Sequence, residues 1–153
     1  MSEPRLKITH RNLPHWTIEG GVYFVTFRVA KNILVDAERY IVLDHLNGGH
    51  GQFYHLLAAV VMPDHVHFLF KPTPPYELSR IMKGIKGVSS RKINERRCTS
   101  GRIWQEESWD RIVRDAEELQ EKLVYMANNP VKAGLVGSPE EYPYWSCNPQ
   151  LIV

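Results

Sequence analysis

His65 and His67, one residue apart in this 153-residue chain, are the first residues whose types and spacing could do chemistry. Side chains alternate across a strand, so His65, His67 and Leu69 share one face. Val66, Phe68 and Phe70 make the other face wholly apolar, which predicts that it is the core-facing one. Two imidazoles side by side can grip one divalent ion. Two half-exposed strand histidines without a ligand are the plainer account, and spacing alone does not separate the two. Tyr125 is the second such residue. Ala116, Leu119, Leu123 and Met126 form the apolar stripe of its helix, and at roughly 100° per residue Tyr125 lies about 140° from the stripe's centre. Asn129, one turn on, lies over the same face as Tyr125. That displacement argues for a functional phenol, although surface tyrosines are common.

Charge placement is the third signal. Between Ser79 and Arg102 stand Arg80, Lys83, Lys86, Arg91, Lys92, Arg96, Arg97 and Arg102, with Glu95 the only acid. Such a concentration in a chain of net charge +2 is the footprint of a polyanion partner. The alternative is a solvated helix face paired with the acidic stretch that follows, Ile103 to Glu121. Aromatic rings interleave with these charges and could stack on unpaired bases. Trp104 and Trp109 are nonetheless expected to serve packing.

These residues need elements to hold them. Val22–Val29 reads as a strand, and Asp36 as the N-cap of a helix running to about Leu46, closed by Asn47-Gly48-Gly49. Gln52–Met62 reads as a second strand buried on both faces, Pro63-Asp64 as a turn, and His65–Phe70 as a third strand. The apolar spacing of Leu78, Ile81, Met82, Ile85 and Val88 predicts an amphipathic helix, in which Gly84 and Gly87 suggest a close backbone approach. Ser108–Val113 is a fourth strand. Asp115 and Glu118 have capping-box spacing and open a helix that Asn129-Pro130 should end. The order strand, helix, strand, strand, helix, strand, helix predicts one α+β domain over residues 1–153. Its plan is a ferredoxin-like sandwich: an antiparallel sheet with helices on one face and an added C-terminal helix carrying Tyr125.

Composition bounds the rest. With 43% hydrophobic and 24% charged residues the chain can build a core and is not disordered. The longest apolar run, Leu56 to Met62, is far short of the ~20 residues of a membrane span. Met1 to His10 has no apolar secretory region. Cys98 and Cys147 form neither a disulfide framework nor a Cys-x-x-Cys pair. A cytoplasmic protein with reduced thiols is the expectation.

Five ordered blocks then coincide: Tyr23-Phe24-Val25-Thr26-Phe27-Arg28, Val60-Val61-Met62-Pro63-Asp64-His65-Val66-His67, Ile103-Trp104-Gln105, Trp109-Asp110, and Tyr125 through Leu135 by way of Asn129-Pro130. Together, from about His15 to Trp145, they resemble the REP-associated tyrosine transposases, relatives of the single-tyrosine insertion-sequence transposases of the HUH nuclease class. The resemblance implies an enzyme that cuts and rejoins single-stranded DNA beside an imperfect hairpin, through a 5′-phosphotyrosine link and a free 3′-hydroxyl. By the same resemblance His65 and His67 match the histidines that bind Mg²⁺ or Mn²⁺, Asn129 the third ligand, and Tyr125 the nucleophile. Asp64 stands where the family often has an acid behind the metal. No second tyrosine lies near Tyr125, which speaks against a two-tyrosine replication mechanism. The eight cations from Arg80 to Arg102 are the expected phosphate contacts, on a monomer or a homodimer. A catalytically silent nucleic-acid-binding module on the same fold is the alternative, and a metal-dependent hydrolase that leaves no covalent adduct is a third.

Overall fold

The structure, a computed structural model, describes residues 21–148. Met1 to His10 and the start of the family likeness at His15 lie outside them. Five strands form one antiparallel sheet: β1 (Val22–Val29), β2 (Tyr54–Val61), β3 (His65–Pro72), β4 (Trp104–Val113) and β5 (Trp145–Cys147), in the order β4-β1-β3-β2-β5. Three helices accompany them: α1 (Asp36–Gly48), α2 (Leu78–Arg97) and α3 (Ala116–Lys132). The first four strands have the ferredoxin-like order, and β5 extends the sheet beyond β2. No helix among the described residues is long and apolar enough to cross a membrane.

The sheet is covered on both faces, because its central strands are apolar on both. On one face Val25, Phe27, Val66, Phe68 and Phe70 pack under α1 (Val42, Leu43, Leu46) and α2 (Ile81, Met82, Ile85, Ile93). On the other, Val22, Phe24, Ala58, Val60 and Leu69 pack under α3 through Leu119, Leu123, Met126 and Ala127. The histidine face of β3 is therefore a second core and not a solvated surface.

Several boundaries differ from the sequence reading for local reasons. Val35, not Asp36, is the N-cap of α1. Asp36 pairs with Arg39, and the Val35 N–H donates to Glu38 Oε1 at 3.0 Å. β4 begins at Trp104, four residues before the expected Ser108. It is an edge strand, where outward acids such as Glu106 and Glu107 are tolerated and deter further pairing. Asp115 does cap α3, accepting from the Glu118 N–H at 2.8 Å. Asn129-Pro130 does not end that helix. Pro130 is buried inside its last turn, and the chain leaves the helix only at Gly134, whose φ of 77° suits glycine. Gly84 and Gly87 mark no close approach, since a Cβ at either would meet nothing within 4 Å. The close approach is at Gly49, where a Cβ would strike the Tyr54 ring and its hydroxyl.

Candidate active site

The β1–β3 register places Thr26 opposite His67 and Arg28 opposite His65, so all four residues lie on the α3 side of the sheet. The two imidazole centroids are 4.7 Å apart. His65 is half-buried and its Nδ1 is 2.7 Å from Asp64 Oδ1, which leaves Nε2 for another ligand. The carboxylate fixes the ring orientation and tautomer from behind. Burial works to raise the Asp64 carboxyl, but the hydrogen bond and charge of His65, with Arg28 nearby, hold it below its ordinary value.

His67 is more enclosed than the sequence suggested. It is only 3% exposed, lies stacked on Phe24 at 5.3 Å, and its Nδ1 is 2.8 Å from Thr26 Oγ1. Burial, with His65, Arg28 and Lys122 adding positive charge nearby, pushes its pKa down to about 3, so it is a neutral imidazole at physiological pH. Its Nε2 is buried with no hydrogen-bond partner among the described residues. A buried polar atom left unpaired is costly unless something ligates it. A neutral imidazole nitrogen of this kind, beside a second histidine oriented by a carboxylate, fits a divalent cation.

Tyr125 projects from α3 over this pair. Its ring is 5.2 Å from that of His67 and 6.3 Å from that of Phe24, yet it remains 46% exposed. Of the apolar stripe predicted for the helix Leu119, Leu123 and Met126 are buried and Ala116 half-buried, and the phenol stands off it beside the histidines. Asn129 follows one turn later and is half-buried, but no hydrogen bond or ion pair among the described residues ties its side chain to either histidine. Among the other described tyrosines Tyr40 is more exposed, at 61%, but it stands on α1, across the sheet from the histidines. Tyr54 and Tyr142 are buried and donate to the carbonyls of Leu46 (2.6 Å) and Val61 (2.5 Å). Burial pushes the Tyr142 phenol up to about 12. The C-terminal segment is pinned to β2, with Trp145 paired to Val60.

The basic segment is placed elsewhere. α2 lies across the sheet from His65, His67 and Tyr125. Half of the expected phosphate-binding cations are engaged within the fold. Arg96 and Arg97 pair with the buried Glu38 at 3.1 and 2.8 Å. Lys86 donates to the carbonyls of Gln105 and Glu106, and Arg102 pairs with Glu106. No ion pair among the described residues engages Arg80, Lys83, Arg91 or Lys92. Arg80 and Lys92 border a cleft of about 460 Å³ between α1 and α2. Trp104 is packing, as expected, donating to Ser89 Oγ at 2.9 Å. Trp109 is not: it is 54% exposed on the α3 side of the sheet.

Sequence reasoning missed Thr26 and Lys122. Thr26 could have been found only with the strand register in hand. Lys122 sits one turn before Tyr125 with its ammonium 4.8 Å over the Phe24 ring, and helical spacing was the signal that could have found it.

A family model described as "Transposase IS200 like" matches residues 50–113, a span that contains both histidines. A REP-associated tyrosine transposase of Escherichia coli is 26% identical over 132 residues, covering 83% of this chain and 76% of that protein. A Haemophilus influenzae protein of the same description is 25% identical over 146 residues, covering 84% and 80%. A solved REP-associated tyrosine transposase bound to a REP hairpin superposes with a TM-score of 0.68 at 20% identity, over all of this chain and 92% of its own.

Proposed function

We propose that this relative of the REP-associated tyrosine transposases, itself a transposase, cuts and rejoins single-stranded DNA beside a hairpin, in the cytoplasm, using Tyr125 as nucleophile. The observation that carries the reading is the half-exposed Tyr125 phenol within 5.2 Å of His67, beside two histidine nitrogens free to ligate. His65 and His67 would hold Mg²⁺ or Mn²⁺, with the Asn129 side chain the candidate third ligand. When bound, the ion supplies Lewis-acid polarisation of the scissile phosphate.

The chain's own residues do the remainder. Asp64 and Thr26 hold the two imidazoles with one nitrogen of each turned to the site. Tyr125 Oη bonds to phosphorus while the 3′-oxygen of the preceding nucleotide leaves and takes a proton, giving a 5′-phosphotyrosine and a free 3′-hydroxyl. The link conserves the phosphoester bond, so a second 3′-hydroxyl can attack it, restoring the phosphodiester and the phenol. Burial of His67 keeps the imidazole uncharged, so its Nε2 lone pair is available to a cation. Arg80, Lys83, Arg91 and Lys92 on α2 are suited to hold hairpin phosphates on the far side of the sheet.

The test is incubation of labelled single-stranded hairpin DNA with the protein and Mn²⁺, followed by denaturing electrophoresis. A protein–DNA band that survives denaturation and vanishes in Tyr125→Phe is the expected result. Binding without any adduct leaves the silent binding module, and cleavage without an adduct leaves the hydrolase.

A further inference from the structure

Trp109 is an anomaly for a residue on the face of a covered sheet. It lies on β4, directly opposite Thr26 on β1, and Thr26 in turn touches His67. Its ring is 6.2 Å from that of Phe24, nearly perpendicular to it, and more than half of the residue is open to solvent. Phe24 is the hub: it is buried, it stacks on His67, and it is flanked by two exposed rings, Trp109 at 6.2 Å and Tyr125 at 6.3 Å. A large indole left in water forgoes the burial that such a ring usually obtains. α3 covers the neighbouring apolar positions of this face and stops short of Trp109.

Two cations stand on this face near Phe24 and the histidine pair, while Trp109 itself lies within the acidic Ile103–Glu121 stretch. Lys122 lies over Phe24, and Arg28 stands beside the histidine pair, exposed and in no ion pair among the described residues. Exposed aromatic faces set among cations are how proteins hold unpaired nucleotides, with bases stacked on rings and phosphates on the cations. An apolar peptide would not need the cations, and a duplex could not present a base face to the ring.

We propose that the exposed Trp109 ring is a stacking platform for one unpaired base next to the phosphate presented to Tyr125, with Lys122 and Arg28 holding the flanking phosphates. The inference rests on the strand-cutting reading above and adds a nucleotide subsite to it. Stacking tolerates any base, so the subsite contributes affinity and in-line positioning and does not read sequence. Phe24 links it physically to the metal and nucleophile positions, since all three rings pack on its one side chain.

The probe is a DNA hairpin with a single-stranded tail of about ten thymidines, compared with the same hairpin bearing an abasic tail of equal length. Binding is measured by fluorescence anisotropy without metal, so that no cleavage intervenes. Wild type should bind the thymidine tail more tightly than the abasic one. Trp109→Ala should weaken binding to the thymidine tail about tenfold, from the loss of one base–ring stack, and leave the abasic affinity unchanged. Trp109→Tyr should recover most of the difference, because tyrosine also offers a ring face. Equal affinity of the wild type for both tails, or an unaltered tail preference in Trp109→Ala, overturns the proposal. So does a change of oligomeric state in Trp109→Ala with DNA affinity intact, which makes the ring a contact between copies. Any of these three failures leaves the Tyr125 adduct in place, whereas loss of that adduct in wild type fails the strand-cutting reading itself.

Discussion

At the residue scale, the Thr26–His67 hydrogen bond decides how the site is poised. For His67 to offer the lone pair of Nε2, Nδ1 must carry the proton and donate to Thr26 Oγ1, which is 2.8 Å away. Removing that acceptor leaves a buried N–H unpaired and frees the ring to change tautomer. Thr26→Val should therefore weaken Mn²⁺ binding about tenfold by calorimetry, and Thr26→Ser should retain it. Nitrogen NMR of the metal-free protein should show His67 protonated on Nδ1 in wild type and a mixture in Thr26→Val. An Nε2-protonated His67 in wild type would refute the assignment. The burial of His67 also changes what its substitution means. His65→Ala should remove metal binding with little effect on stability. His67→Ala additionally empties a packed site between Phe24 and Tyr125, so its melting temperature should fall as well.

At the element scale, α2 combines two tasks. Its apolar side packs on the sheet, while Arg80, Lys83, Arg91 and Lys92 remain without ion pairs among the described residues. Neutralising these four should flatten the salt dependence of hairpin binding by about 0.9 in logarithmic slope for each duplex phosphate they no longer neutralise. Arg96 and Arg97 do not belong in that set, because they hold Glu38. An unchanged slope in the quadruple variant would move the phosphate-binding face elsewhere. The glycines separate in the same way. Gly87→Ala, in a helix interior with open space around it, should stabilise by up to about 1 kcal/mol, seen as a raised melting temperature. Gly49→Ala should destabilise, because its methyl group would strike the Tyr54 ring that anchors the end of α1.

At the scale of the whole molecule, the Glu38–Arg97 pair ties α1 to the end of α2, distant in sequence. Glu38 is 1% exposed and accepts from the Arg97 guanidinium at 2.8 and 2.9 Å. The Arg97 hydrogen bond is the main influence holding the Glu38 carboxyl below 4.5, opposed by burial and aided by the Val35 N–H and the charges of Arg97 and Arg96. A lowered carboxylate contributes stability that is fully present above its unfolded value and is lost as pH falls through its folded one. Acid unfolding monitored by circular dichroism should thus begin below about pH 4.5. Arg97→Gln should cost about 3 kcal/mol at neutral pH, the low end for stripping a partner from a buried charge because Arg96 still pairs with Glu38, and its remaining acid dependence should be shallower. The same pH dependence in both proteins would show that the pair does not govern acid stability.

The sequence by itself determined the first four strands, the three helices, their order and the type of sheet, because hydrophobic period and turn chemistry are local properties of the chain; β5, three residues long, it did not foresee. It also singled out Tyr125 as the phenol off its helix's stripe, since helical geometry converts spacing directly into direction. The tertiary structure decided what depends on neighbours distant in sequence. That His67 is buried follows from α3 closing the second face of the sheet, whereas strand alternation reports only which side a residue takes. That Arg96 and Arg97 hold Glu38, and so lie outside the free phosphate-binding set, follows from α1 packing beside α2, while a charge count treats every cation alike. Pro130 stays within α3 because its ring is buried in the last turn, where tertiary packing outweighs one missing hydrogen bond. Trp104 and Trp109, five residues apart, read alike in sequence. One meets Phe27 and Ser89 in the core and the other faces solvent, because β4 is an edge strand that α2 covers on one side and α3 leaves partly open on the other.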